Sequence, residues 1–148
     1  MYKKILIATD GSEPSQKAVE QGVALAKATG AAVILATVTE IWSALDVARS
    51  AESGITDPIE QYEKLADISA RKTLDAAEAI AKAAGIASET LHLRDQAPAD
   101  GIVAAAKDKG CDLIVMGTHG RRGINRIILG SQATKVLTYS EIPILVVR

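Results

Sequence analysis

An open α/β fold, a parallel sheet with helices on both faces, is predicted by three features of the sequence. Five short apolar runs are spaced along it, four segments of helical period separate them, and glycine or proline stands at most of the junctions. Runs that are apolar throughout, rather than alternating, are those of strands buried on both faces, the habit of parallel sheets.

The first run is Ile5-Leu6-Ile7-Ala8. Residues Ser12 to Thr29 follow, with Ala18, Val19, Gly22, Val23 and Ala26 at helical spacing; Ser12 suits an N-cap, Pro14 a first turn and Gly30 a C-cap. Ala32 to Val38 is the second strand. The Ala-rich stretch Ile59 to Ala84 reads as a long helix, with Tyr62, Leu65, Ala66, Ser69, Thr73, Ala76, Ala77 and Ile80 along one side and Gly85 as its stop. Thr90-Leu91-His92-Leu93 is a weaker strand, Pro98 to Lys109 a shorter helix ended by Gly110, Leu113 to Met116 the fourth strand, Ser131 to Tyr139 the last helix, and Ile144 to Val147 the fifth strand after Pro143. Right-handed crossovers restrict the topology further. Glu40 to Asp57 is too long for a simple connection; Trp42, Leu45 and Val47 suggest a short amphipathic turn there.

Composition bounds the function. The 148 residues fit a single domain, residues 1–148. Aromatics are 3% and Phe is absent, so the core is built from Ala, Val, Ile and Leu. A net charge of −1 argues against a general polyanion binder, so no nucleic-acid partner is expected and any phosphate affinity must be local. The single cysteine, Cys111, precedes an apolar strand and reads as a packing thiol, in keeping with a cytoplasmic setting. Neither a signal peptide nor an apolar run of membrane-spanning length is evident, so no membrane partner is expected.

The chemistry concentrates in Met116-Gly117-Thr118-His119-Gly120, then Arg121 to Leu129, then Gly130-Ser131. Gly117 and Gly120 allow positive φ and close approach of backbone to a ligand. Gly130-Ser131 opens a helix whose N–H groups and dipole favour an anion. Arg121, Arg122 and Arg126 lie between the two turns, and His119 is a phosphate donor. Asp10, at the end of the first strand, faces Gly117 if the first and fourth strands are neighbours, because ligands of open α/β sheets bind where strand order reverses. An Asx turn or helix cap is the structural alternative for Asp10. The Walker A pattern, G-x-G-x-x-G, a nucleophile elbow and a histidine-rich metal site are all missing.

Gly117-x-x-Gly120, nine residues, then Gly130-Ser131 resembles the G-2x-G-9x-G-[ST] pattern of the universal stress protein family, in its ATP-binding branch. The strands Ile5 to Ser12, Asp112 to Gly117 and Pro143 to Val147 resemble those of the family, so the resemblance covers essentially the whole chain. It implies a Rossmann-like five-stranded parallel sheet of order 3-2-1-4-5 and a homodimer. It also implies an ATP site in which Asp10, with Ala8 and Thr9 before it, meets ribose or a phosphate-bound Mg²⁺ or Mn²⁺. Val38 would lie against adenine and Met116 would line the pocket. Gly117, His119 and Gly120 would approach ribose and phosphates, and Gly130 and Ser131 would hold the phosphates. Gln132 and Ala133 depart from the usual pattern after that Ser; their backbone N–H groups still serve, but a hydroxyl at 133 is lost. The implied function is an ATP-binding regulatory module of stress response with protein partners not named by the sequence. The alternatives are a slow metal-dependent ATP hydrolase and a nucleotide-free interaction protein. If the apolar strand Ile144 to Val147 lies at a sheet edge, it also invites pairing with a second copy.

Overall fold

The computed structural model describes residues 1–119 and 129–148. The elements in chain order are β1 (Lys4–Ala8), α1 (Glu13–Thr29), β2 (Ala32–Thr39), α2 (Ala44–Glu52), α3 (Pro58–Ala83), β3 (Ser88–Arg94), α4 (Pro98–Asp108), β4 (Leu113–Gly117), α5 (Ser131–Tyr139) and β5 (Ile144–Val147). The five strands form one parallel sheet in the order β3-β2-β1-β4-β5, as expected.

The register explains why the central strands carry no polar alternation. Ile5 pairs with Val33 on one side and Leu113 on the other, and Ile7 with Leu35 and Val115. These side chains join Ala18, Val19 and Val23 of α1 and Leu74 and Ala77 of α3 in one core layer. Leu6, Ile34, Ile114 and Met116 point to the opposite face, where Ala99, Ile102 and Ala106 of α4 and Ala133 and Val136 of α5 close over them. Burying each branched side chain contributes roughly 1.5–3 kcal/mol, and β1 does so on both faces. Small residues let the helices come close: a Cβ on Gly22 would stand 2.6 Å from Ile7 Cδ1.

α1 starts and stops where the sequence indicates, with Ser12 as N-cap and Gly30 at φ 73° donating its N–H to the Ala26 carbonyl. At the amino edge of the sheet the Asp112 carboxylate accepts from the N–H groups of Lys3 (2.8 Å) and Lys4 (3.0 Å), which ties β1 to β4 and holds that carboxyl below its usual pKa. Cys111 is buried as expected, and its burial raises the thiol's pKa. No helix among the described residues is long and apolar enough to cross a membrane.

Two expectations change. The stretch from Glu40 to Asp57 holds a nine-residue helix, α2, capped by the Ser43 side chain accepting from the Asp46 N–H, where only a short turn was expected. Of the stripe expected on α3, Thr73 and Ala77 are buried, together with Ala70, Leu74 and Ala81, but its start at Tyr62 and Leu65 is not; Leu65 is 57% exposed. The reason is position. Tyr62, Glu63 and Ala66 stand level with Thr39 and Arg94 at the strand ends, so the first turns of α3 have no sheet beneath them to bury against.

Candidate functional site

The ends of β1 and β4 meet at the point where strand order reverses, because β1 is flanked by β2 and β4. Three segments converge there: Thr9 to Ser15, Gly117 to His119, and Gly130 to Ser131.

The first segment is a hydrogen-bonded knot. Asp10 Oδ1 accepts from the Ser12 N–H at 2.9 Å, an Asx turn that delivers the chain into α1. Ser15, 5% exposed, centres the rest: its Oγ donates to the Ser12 carbonyl (2.9 Å), accepts from the Asp10 N–H (3.3 Å) and lies 3.1 Å from Thr9 Oγ1. Gly11 turns through φ 80° between them. The structural role weighed for Asp10 is therefore present, and Ser15, which sequence reading passed over, is what orients the turn. The available signal was a second serine three residues after the N-cap, the capping-box position.

The second segment is set by steric fit. Gly117 does not adopt positive φ, which corrects the reason given for it. A Cβ there would stand 2.9 Å from the backbone C and O of Pro14 and 3.2 Å from the Ser15 N. Only glycine lets β4 end against the first turn of α1. The third segment locks onto the second. The Gly130 N–H donates to the Thr118 carbonyl at 2.8 Å, and a Cβ on Gly130 would meet that oxygen at 2.7 Å. His119 Nδ1 lies 3.1 Å from Thr118 Oγ1.

The remaining expected residues divide. Ala8 is buried at the end of β1. Val38 lies two residues past Ala36, the partner of Ala8, so the end of β2 runs alongside Asp10. Met116 is buried in the layer under α4 and α5. Ser131 is exposed at the start of α5, whose first turn has no side-chain cap. Gln132 turns its side chain elsewhere: Oε1 accepts from the Ala99 N–H at 3.2 Å and serves the start of α4, which lacks a cap of its own, so only its backbone is left for a ligand. Ala133 is buried. Gly120, Arg121, Arg122 and Arg126 lie outside the described residues.

The arrangement suits a polyanion. The N-termini of α1 and α5 open on the same edge, and α5 lacks the side chain that ordinarily occupies its first N–H groups. Among the described residues no three His, Cys, Asp or Glu side chains stand together as a metal cage.

The carboxyl ends of β2 and β3 are built differently. His92 Nε2 lies 2.8 Å from Thr39 Oγ1, and Asp67 of α3 stands 3.5 Å from His92 Nδ1 while accepting from Arg94 Nε at 2.9 Å. Burial first, then the Arg94 charge, lowers the pKa of His92. Cavities open beside this group, one lined by Glu40, Tyr62, Glu63 and Asp95, the other by Ile68, Arg71, Leu74 and His92.

Comparison with known proteins agrees with the fold and narrows its kind. The pattern of the universal stress protein family matches residues 1–148. The universal stress protein YxiE of Bacillus subtilis is 34% identical over 155 residues, spanning 100% of both chains. Among solved structures, MJ0577 of Methanocaldococcus jannaschii superimposes with a TM-score of 0.77 at 30% identity, over 99% of this chain and 96% of that one. A universal stress protein in complex with cAMP superimposes with a TM-score of 0.72 at 27% identity, over 99% and 97%.

Proposed function

The chain belongs to the universal stress protein family, and on that premise we propose that it is a regulatory module holding ATP where β1 and β4 end. One observation carries the reading: Gly117 and Gly130 are both packed so that a single Cβ would strike backbone, and both serve to bring the first turns of α1 and α5 to one edge. Adenine would lie by Val38 and Met116, ribose by Asp10 and Gly117, and the phosphates by His119, Gly120, Gly130 and the backbone N–H groups of Ser131, Gln132 and Ala133. A universal stress protein that superimposes on this chain was solved in complex with cAMP, which supports an adenine nucleotide as the kind of ligand. ATP bound with Mg²⁺ or Mn²⁺ would change the surface presented to protein partners in the cytoplasm, and hydrolysis would be slow at most.

Calorimetry with ATP, AMP and cAMP, together with mass analysis of nucleotide released on denaturation, tests this. Saturable ATP binding that is lost in Gly130→Ala while the variant stays folded is expected. Absence of binding by any of the three overturns the reading.

We also propose that two copies pair through β5. It is an edge strand bonded only to β4, and Leu145 on it is 38% exposed. Leu145→Glu should give a folded monomer by light scattering; an unchanged dimer rejects this edge.

A further inference from the structure

Six of the ten large apolar side chains exposed among the described residues are Ile41, Leu45, Ile55, Ile59, Leu65 and Ile68. All belong to the segment that leaves β2, forms α2 and returns as the first turns of α3. No residue from 44 to 69 is buried. α2 has no fully buried residue, so little packing offsets the cost of ordering it, and short helices are marginal alone. Exposed apolar groups gathered in one segment mark a surface that another molecule covers.

Charge identifies the kind of molecule. Residues 40 to 69 hold seven carboxylates against two basic side chains, whereas the rest of the chain is basic on balance, with fifteen against eleven. At the foot of the hairpin a cavity is lined by Glu40, Glu63, Asp67 and Asp95 with Tyr62 and Arg94. Arg94 pairs with Asp67; Glu40, Glu63 and Asp95 have no ion-pair partner among the described residues. Tyr62 senses this field: its hydroxyl donates to the Glu40 carbonyl at 2.9 Å, and burial followed by Glu40, Asp46 and Asp95 raises its pKa. A two-fold contact between two such hairpins would set five net negative charges against five, and an anionic bilayer would be repelled in the same way. Both occupants are disfavoured by the charge that favours a cationic one.

We propose that the hairpin of α2 and the first turns of α3 is a docking surface for a basic amphipathic helical segment of a partner protein. Apolar residues of the segment would cover Leu65, Ile68 and Leu45, and a Lys or Arg would enter the cavity between Glu40, Glu63 and Asp95. This is independent of the nucleotide edge, since no residue of the surface belongs to it.

The chain's single Trp, Trp42, is half-buried at the entry to α2 and reports occupancy directly. The full chain is titrated with an amphipathic helical peptide of leucine and lysine, and with its glutamate counterpart, following Trp42 emission and calorimetric heat. One-to-one saturable binding of the lysine peptide alone is expected. Leu65→Ser with Ile68→Ser should weaken it about tenfold or more without changing charge, and Glu63→Gln with Asp95→Asn should weaken it and flatten its salt dependence. These positions are exposed, so the variants should fold. Equal binding of both peptides, or affinity unchanged in both double variants, overturns the proposal. So does a concentration-dependent dimer that Leu65→Ser with Ile68→Ser abolishes, or attachment to phosphatidylserine vesicles that the same pair abolishes.

Discussion

At the end of β1 and β4, backbone touches backbone: the notional Cβ atoms of Gly117 and Gly130 fall within 3 Å of main-chain atoms of Pro14 and Thr118. At the end of β2 and β3, farther along the same edge, side chains do the joining through Thr39, His92, Asp67 and Arg94, and cavities remain between them. The first half leaves no room for a side chain at Gly117 or Gly130. The second is a surface whose character can change by substitution while the fold is kept.

The largest effect should therefore come from the smallest change on the first half. Gly117→Ala and Gly130→Ala each force backbone apart, because the atoms met are not the ends of flexible side chains. Overpacking of this kind costs about 1–3 kcal/mol. Leu65→Ser on the other half removes more atoms but should stay within about 0.5 kcal/mol, since Leu65 is exposed. Urea unfolding of the variants checks this. Equal stability of all three would mean that the two halves do not differ in the way described.

The same contrast governs what the sequence disclosed. The apolar runs at Ile5, Val33 and Leu113 reveal the central strands because a strand buried on both faces tolerates little else. Gly117 and Gly130 are visible because steric exclusion leaves one residue type. Their reason is less visible: the sequence suggests positive φ, whereas Gly117 yields space to α1, a contact more than a hundred residues away along the chain. Gln132 likewise reads only as a departure from the usual pattern whose backbone N–H still serves, and only the fold reveals that its amide oxygen accepts from the Ala99 N–H at the start of α4. The α2 hairpin was least legible. Its apolar residues follow helical spacing, but the period cannot reveal that there is no sheet under that part of α3.

An intermediate effect is expected from Ser15→Ala, which leaves the glycines in place and removes the hydroxyl that joins Thr9, Asp10 and Ser12. The Asp10 N–H then loses a partner in a part-buried turn, at a cost of about 1–2 kcal/mol. The consequence should exceed stability alone. With the turn loosened, Asp10 is no longer held toward the ligand, so ATP affinity should fall in Ser15→Ala and recover substantially in Ser15→Thr, which restores an oxygen at the same place. Calorimetry on both variants separates this from simple unfolding. Unchanged affinity in Ser15→Ala would show that the knot shapes α1 and not the ligand edge.

The smallest effect belongs to the second half and depends on pH. His92 is held neutral in the fold by burial, by Arg94 and by Arg71, against the opposing pull of Asp67 and Asp95. A neutral ring with its proton on Nδ1, toward Asp67, leaves Nε2 to accept from the Thr39 hydroxyl. Because the folded-state pKa lies below the ordinary histidine value of about 6.5, the unfolded chain takes up a proton first as pH falls. Stability from this group is thus complete above that value and declines as pH drops below it, levelling off once the folded form also protonates. His92→Gln keeps an amide that can bond Thr39 and cannot titrate in this range. It should flatten the fall in urea midpoint between about pH 7 and about pH 5.5 while leaving ATP binding at the β1–β4 edge unaltered. A slope that persists in His92→Gln would place the proton elsewhere. A loss of ATP binding would show that the two halves of the edge are coupled through β2, where Thr39 follows Val38.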